Sequence, residues 1–275
     1  MDDILDKMIK TPEQLHEEDL QRIRGFRLLD DDFMTIFFND NPEDTETLLR
    51  SVMNNSSLKV KKVETQKPIR NLTRRSLGLD IYAEDENDVK YDVEIQRSDV
   101  GADPRRARFH SSMIDVDSMR KGTEWEALPE SYVIFITETD YYRAGKPIYH
   151  VNRYIEEIDE AFNDGEHIIY VNSEIQDDTE LGRMMHDFHC ISADQLYNKK
   201  LAERIRYFKE SEEGVRTVCK VMEDMRKEAA EMAIWQSKVE SVMKWVAKGI
   251  KLEDIAECEG LTLEEVKEIA GQRSA

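Results

Sequence analysis

Two stretches of strict alternation frame this chain. Leu77, Leu79, Ile81 and Ala83 alternate with Gly78, Asp80, Tyr82 and Glu84. Val89, Tyr91, Val93 and Ile95 alternate with Lys90, Asp92, Glu94 and Gln96. A period of two sends successive side chains to opposite faces of a strand. Between them stand Glu84-Asp85-Glu86-Asn87-Asp88, which are turn formers, so the pair predicts a β-hairpin. Upstream, Leu58 and Val60 against Lys59 and Lys61 predict a further strand, joined by a polar loop that runs to Arg75. Asn41-Pro42-Glu43-Asp44 reads as a helix start, with Leu48, Leu49, Val52 and Met53 as its buried stripe. Asp103-Pro104 opens a second helix running to about Arg120. The unbroken apolar run Tyr132–Ile136 reads as a strand covered on both faces, and His167–Val171 as a weaker strand. Beyond about 179 the pattern turns helical, over 193–209, 212–247, 252–258 and 262–270.

The expected fold class is therefore α/β to about residue 175 and all-α after it. Four segments follow from this pattern: an N-terminal arm at 1–30, an α/β domain at 31–178, a helical extension at 179–247 and a small helix-turn-helix-like module at 248–275. The 275 residues carry 39 Lys and Arg against 59 Asp and Glu, a net charge of −20. That balance excludes the whole-chain basicity of many nucleic-acid binders, so any such contact must come from local patches. No run reaches the length of apolar residues that a membrane span needs. Met1 to Ile9 carries acids and no apolar stretch, so no signal peptide is expected. Cys190, Cys219 and Cys258 offer no C-x-x-C and an odd count, which points to reduced thiols and a cytoplasmic location.

The chemistry concentrates on the hairpin. If it is symmetric about Asn87, Asp80 stands directly across from Glu94. Like charges in that position destabilise a sheet. They are tolerated if solvated, if one is protonated, or if a hard cation bridges them. Carboxylate oxygens suit Mg²⁺. Gln96 lies two residues past Glu94 and shares its face. A slip of one residue would remove Asp80 from that face, and a plain solvent-facing polar strand remains the alternative.

Taken together, Leu79-Asp80-Ile81-Tyr82-Ala83, Tyr91-Asp92-Val93-Glu94-Ile95-Gln96 and the basic helix from Arg106-Ala107-Arg108-Phe109-His110 to Asp115 resemble the PD-(D/E)XK nuclease superfamily. More narrowly, they resemble its nuclease family transposases, grouped with the recombination-promoting nucleases. The resemblance covers about residues 30–175 well and the stretch from Arg204 to Met225 loosely. It implies a restriction-endonuclease-like core of helix, three-strand meander, helix and strand, with Tyr132–Ile136 as the next core strand. It also implies a metal-dependent DNA endonuclease, transposase-like or recombination-promoting, that hydrolyses phosphodiesters with metal-activated water. Asp80 and Glu94 would be the ligands of Mg²⁺ or Mn²⁺, with Gln96 completing the catalytic set. The superfamily usually has Lys at Gln96; a neutral Gln can orient water or donate a hydrogen bond but gives less electrostatic help. No Pro precedes Asp80, and Glu46 is a candidate helix-borne addition to the site. The alternative reading is a weakly active or inactive nuclease fold that binds nucleic acid or protein as a regulator. The motifs do not separate DNA from RNA, and no strand-transfer apparatus is recognisable.

Basic residues flank the acids. Lys59, Lys61, Lys62, Lys67, Arg70, Arg74 and Arg75 precede them; Arg97, Arg105, Arg106, Arg108, Arg120 and Lys121 follow. Of these, Arg74, Arg75, Arg106 and Arg108 are the candidate DNA contacts. Arg106 and Arg108 are two apart and cannot share one helix face, so one would touch phosphate while the other braces the sheet. Ser112 and Asp115 are either helix-to-sheet anchors or substrate contacts. Two further motifs carry less. His186, His189 and Cys190 have zinc-like spacing, but a structural site needs four ligands and no second cluster exists. The segment from Gly249 to Lys267 has helix-turn-helix grammar, yet its second helix would present Glu264, Glu265 and Glu268 to DNA. A packing or dimerisation module, giving a homo-oligomer through the C-terminal helices, fits that charge better.

Overall fold

The computed structural model describes residues 12–69, 77–97, 99–119, 122 and 124–271. Three helices lead in: α1 (Pro12–Gly25), α2 (Asp31–Phe38) and α3 (Pro42–Met53). Asn41 caps α3, its side chain accepting from the Asp44 N–H with Pro42 in the first turn, as the sequence Asn-Pro-Glu-Asp dictates. Strands β1 (Val60–Ile69), β2 (Leu77–Asp85) and β3 (Lys90–Gln96) follow, then α4 (Pro104–Ser118). After it come β4 (Ser131–Thr137), β5 (Ile148–Val151), β6 (Tyr154–Ile155), β7 (Glu160–Ala161) and β8 (Glu166–Asn172). The described elements after that are helical: α5 (Glu180–His189), α6 (Lys199–Glu210), α7 (Glu212–Ala247), α8 (Leu252–Glu259) and α9 (Leu263–Gly271), with a short 3₁₀ turn before α6.

One mixed sheet runs in the order β1-β2-β3-β4-β8-β5, and β6 pairs only with β7. The first three strands form an antiparallel meander. β4 lies parallel to β3, β8 parallel to β4, and β5 antiparallel to β8. The helix, three-strand meander, helix and strand are therefore present in the expected order. The four-residue β5 and the β6–β7 pair escape the sequence pattern, being too short to show a period.

The two faces of the sheet are covered by different chemistry. On one, α4 packs over Leu79, Tyr82, Val133, Phe135 and Tyr170, all buried in one apolar cluster with Ala107, Met113 and Ile114. By alternation, Ile81, Ala83, Val93, Ile95, Ile134 and Ile136 point the other way, and all six are buried. There α2 meets the sheet, with Thr65 Oγ1 donating to the Thr35 carbonyl at 3.2 Å. Phenylalanines join the helices of this layer. Phe33 lies 6.2 Å from Phe208 of α6 in an edge-on contact, and Phe38 lies 6.2 Å from Phe188 of α5.

That packing explains where the chain divides. Two compact units emerge, Met1–Cys219 and Lys220–Ala275. The boundaries drawn from sequence at 178/179 and 247/248 do not coincide with this division, which falls inside α7. Helical periodicity tells that α5 and α6 bury a face, but not that the face lands on the phenylalanines of α2. Within the segment read as an N-terminal arm at 1–30, Ile23, Phe26, Leu28 and Leu29 are buried. In the second unit, Val242 of α7 packs with Ile255, Ala256, Val266 and Ile269 of α8 and α9. Gly260 ends α8 with a left-handed φ of 61°, a conformation that costs glycine nothing. Ile250, just before α8, is exposed. No described helix is long and apolar enough to cross a membrane.

Candidate active site

The hairpin register is the one that symmetry about Asn87 requires: Ile81 faces Val93, Tyr82 faces Asp92, Ala83 faces Tyr91 and Glu84 faces Lys90. The regular ladder between β2 and β3 stops at Ile81 and Val93. One residue further, side chains take over from backbone. The Asp80 N–H donates to Glu94 Oε1 at 3.0 Å, and the Ile95 N–H donates to Asp80 Oδ2 at 3.2 Å. Each acid thus binds the other strand's backbone where the strands open. Level with this point on β1, Gln66 adopts a φ of 51° and drops out of the pairing with β2. Its Nε2 reaches Asp80 Oδ1 at 3.4 Å. Leu79 and Tyr82 both join the α4-side cluster although their numbers differ in parity. The alternation therefore breaks between them, at Asp80.

On β3, Asp92 and Glu94 share the face turned toward α4, and both are fully buried. Helix α4 begins where Asp103 accepts from the Arg105 N–H and Pro104 occupies the first turn. Arg106 and His110 stand one turn apart on it, hence on one face. Arg106 Nη2 donates to Glu94 Oε2 at 2.5 Å and Nη1 to Gln96 Oε1 at 3.2 Å. His110, also fully buried, places Nδ1 2.7 Å from Asp92 Oδ2 and 3.7 Å from Glu94 Oε1. Asp92, Glu94 and His110 bring ligand-type atoms within 4.8 Å of one another.

The electrostatics follow from burial. Desolvation first, and then the charge of Asp31 at the start of α2, push the Asp80 carboxyl from its ordinary 3.8 up to about 6, against the Ile95 N–H, Arg106 and Gln66. Glu94 is pushed well above the usual carboxylate range by burial and then by the charges of Asp92 and Asp80, and Asp92 by burial and then by Asp80. These three carboxyls share one neighbourhood, in which the guanidinium of Arg106 is the bound cation among the described residues. That is an under-neutralised cluster of hard oxygen donors, and it fits a divalent cation.

The candidate residues separate clearly. Asp80, Glu94, Gln96 and Arg106 are joined by hydrogen bonds into one group. Arg108 is exposed on another face of α4, as the two-residue spacing requires. Arg74 and Arg75 lie outside the described residues, as do Arg70, Arg120 and Lys121. Much of the basic stretch before the hairpin is spent in ion pairs: Lys59 with Glu46, Lys61 with Asp88, Lys62 with Glu64 and Lys67 with Asp117. Arg97 is paired with Asp30 and Glu138. Glu46 does not reach the site. It binds Arg50, Lys59 and the Val60 N–H, at the end of β1 where Val60 faces Asp85. Among helix-borne acids, Asp31 is the one whose charge Asp80 feels. Ser112 Oγ turns back to the Arg108 carbonyl of its own helix at 2.9 Å and anchors no strand.

In the histidine motif, His186, Asp187 and Cys190 bring ligand-type atoms within 4.8 Å of one another. Both Asp187 oxygens accept backbone N–H groups, from Tyr197 and Asn198 at 2.8 Å each. His189 binds Ser173 Oγ at 2.9 Å. Sequence reasoning missed the roles of Asp92 and His110. Their signals were available, as an acid two residues before Glu94 and a histidine four after Arg106, but neither spacing alone says that strand and helix faces meet.

A mixed sheet with a helix, meander, helix and parallel strand, and with acids on β2 and β3 clasped across an opening, defines a nuclease-like α/β protein. The chain belongs to the PD-(D/E)XK nuclease family transposases, whose family model matches residues 29–248. No curated protein and no solved structure matches the chain. Membership points to a nuclease-type function.

Proposed function

We propose that this protein is a divalent-metal-dependent endonuclease that cuts DNA at the open end of the β2–β3 hairpin. The observation that supports the reading is the reciprocal clasp of Asp80 and Glu94, in which each carboxylate accepts a backbone N–H from the opposite strand. Those two residues would hold Mg²⁺ or Mn²⁺. When bound, such an ion supplies an activated water and neutralises charge on the phosphate. Gln96 orients water through its carboxamide. Arg108, with Arg74 and Arg75, takes the flanking phosphates, Arg106 meets phosphate at the site itself, and these contacts make binding strongly salt-dependent. The net charge of −20 keeps long-range attraction to DNA weak, so affinity rests on these local contacts. Its cysteines suit the cytoplasm, and self-association would run through the C-terminal helices.

One observation favours a second reading, a nuclease fold with weak or no turnover that binds nucleic acid or protein. Both Glu94 oxygens are already hydrogen-bonded within the chain, one of them to Arg106 at 2.5 Å.

Supercoiled-plasmid nicking with Mg²⁺, with Mn²⁺ and with EDTA separates the two. Expected are cleavage with metal, none with EDTA, and a loss of about a thousandfold or more in Asp80→Ala and Glu94→Ala. Binding without cleavage under every metal supports the regulator. Equal nicking by both variants sinks the enzyme reading. A single-stranded and duplex RNA series in the same assay decides the nucleic acid.

A further inference from the structure

Arg106 is held more firmly than a surface phosphate contact requires. A guanidinium has five N–H donors and no acceptor. Four of them are spent: Nε to His110 Nε2 at 3.1 Å, Nη1 to Gln96 Oε1 at 3.2 Å and to the Gly101 carbonyl at 3.0 Å, and Nη2 to Glu94 Oε2 at 2.5 Å. The second N–H of Nη2 has no acceptor among the described residues, on a side chain that is 36% exposed. Phe135 floors the guanidinium, 5.9 Å from its carbon to the ring centre.

Each wall of this cradle has its own support. Because Arg106 donates to His110 Nε2, that nitrogen must present its lone pair, so the ring proton sits on Nδ1 and points at Asp92 Oδ2, 2.7 Å away. Asp92 thereby fixes the orientation of the imidazole, and the imidazole fixes the arginine. The other wall is Gly101, in the 3₁₀ turn Asp99–Ala102 that the Tyr170 hydroxyl pins through the Ala102 carbonyl at 3.0 Å. A Cβ on Gly101 would lie 1.6 Å from Gln96 Oε1 and 3.3 Å from Arg106 Nη1. Only a residue without a side chain leaves room there for the Gln96 carboxamide.

We propose that Arg106 is the cation by which the site engages the phosphate undergoing cleavage, its free Nη2 hydrogen aimed at substrate, and that Gly101, His110 and Asp92 are positioning residues that hold it there. This rests on the phosphodiesterase reading of Asp80 and Glu94. It assigns Arg106 a role apart from that of Arg108, whose exposed charge serves general DNA affinity. An anchored guanidinium aimed at developing negative charge does not have to reorganise as the reaction proceeds, which is what makes such donors effective.

The test is a set of nicking rates over a DNA concentration series. Gly101→Ala lowers kcat about tenfold or more with KM little changed. Its Tm stays near wild type, because the atom it strikes is the end of a flexible side chain. In a Gln96→Ala background the same change costs nothing further, since the obstructed atoms are gone. Equal cost in both backgrounds overturns the proposal. Arg106→Lys, with the charge kept and the cradle lost, falls in kcat, whereas Arg108→Ala raises KM in a salt-dependent way. If the two variants behave alike, the distinction between them is wrong. His110→Gln, which still offers Arg106 an acceptor, recovers part of what His110→Ala loses.

A readout independent of turnover is the Arg106 Nε–H resonance, assigned by its absence in Arg106→Lys. In EDTA, addition of a DNA duplex shifts it. A resonance unmoved by saturating DNA overturns the proposal whatever the nicking assay gives. Full nicking by Asp80→Ala and Glu94→Ala would instead remove the reading on which it stands.

Discussion

The two ends of the β2–β3 hairpin are built from the same register and opposite electrostatics. Near the turn, Glu84 faces Lys90, whose Nζ lies 3.0 Å from Glu84 Oε2, and the Tyr82 hydroxyl donates to Oε1 at 2.8 Å. Burial pushes the Glu84 carboxyl up, but the bonds from Lys90 and Tyr82 outweigh it and hold the group below its ordinary range. At the open end an acid faces an acid, Arg106 is the cation bound to Glu94 among the described residues, and both carboxyls are still pushed up. Both ends are partly or fully buried, so burial alone does not separate them. What differs is how far the charge that the chain supplies compensates the acids. A sequence that can place Lys90 against Glu84 can place a lysine against Asp80. Two acids stand across from each other at one end only, and the proposed metal and substrate site rests on that asymmetry.

The largest effect that breaks the comparison is Asp80→Asn. Cleavage falls by about a thousandfold or more, while the folded state gains stability at pH 8. The sign follows from linkage. Folding raises the Asp80 pKa from 3.8 to about 6, so the folded form binds a proton more tightly than the unfolded one. The stabilisation from that proton is present below pH 3.8 and is lost as pH rises through 6. At pH 8 the ionised group costs up to about 3 kcal/mol on the scale of two pKa units. Thermal unfolding of Asp80→Asn and wild type at pH 4 and pH 8, without divalent metal, reads the difference. A variant no more stable than wild type at pH 8 would show that the open end carries no strain of charge.

A smaller effect of opposite sign comes from the turn end. Glu84→Gln loses about 1–2 kcal/mol at pH 8, because Lys90 keeps its charge and loses its partner. Here the carboxyl pKa is depressed on folding, so its contribution is present above the ordinary Glu range and is lost as pH falls through the folded value. Nicking by Glu84→Gln stays close to wild type. If this substitution were instead stabilising, the two ends would not differ in kind.

How far this contrast was legible in the sequence is instructive. The register was, because strict alternation on both strands and a turn centred on Asn87 leave little freedom. The pairing of Asp80 with Glu94 followed from the register. The opening of the ladder at Asp80 did not follow: it coincides with a left-handed φ of 51° at Gln66 of a third strand, and no local pattern announces that. The basic stretch was legible as charge but not as contact. Lys59, Lys61, Lys62 and Lys67 look like a polyanion surface until their acids are found on α3, in the hairpin turn, on β1 itself and on α4. Glu46 was misplaced for the same reason, since its partners are set by where β1 begins. His110 was visible within the helix motif, yet its role needs the facing strand, and which strand a helix covers is a tertiary fact.

The smallest effect sharpens the comparison at the hairpin's tip. Lys61 of β1 and Asp88 of the turn are hydrogen-bonded there, and each raises or lowers the other's pKa in the direction expected of an ion pair. By charge alone this pair resembles Glu84 and Lys90. By solvation it does not, because Asp88 is 76% exposed and water screens both groups. Ion pairs in that setting gain little, since the attraction is offset by hydration and by the ordering of two side chains. The turn is shaped instead by Asp85, which is buried and accepts from the Asn87 and Val89 N–H groups at 2.8 and 3.0 Å. Lys61→Ala therefore leaves Tm unchanged within error at low and at high salt, and leaves nicking unchanged. A loss of stability comparable to that of Glu84→Gln would mean that complementary charge stabilises this hairpin whether or not it is buried. The cost at Asp80 and Glu94 would then reflect their like charge alone, with no contribution from their removal from water.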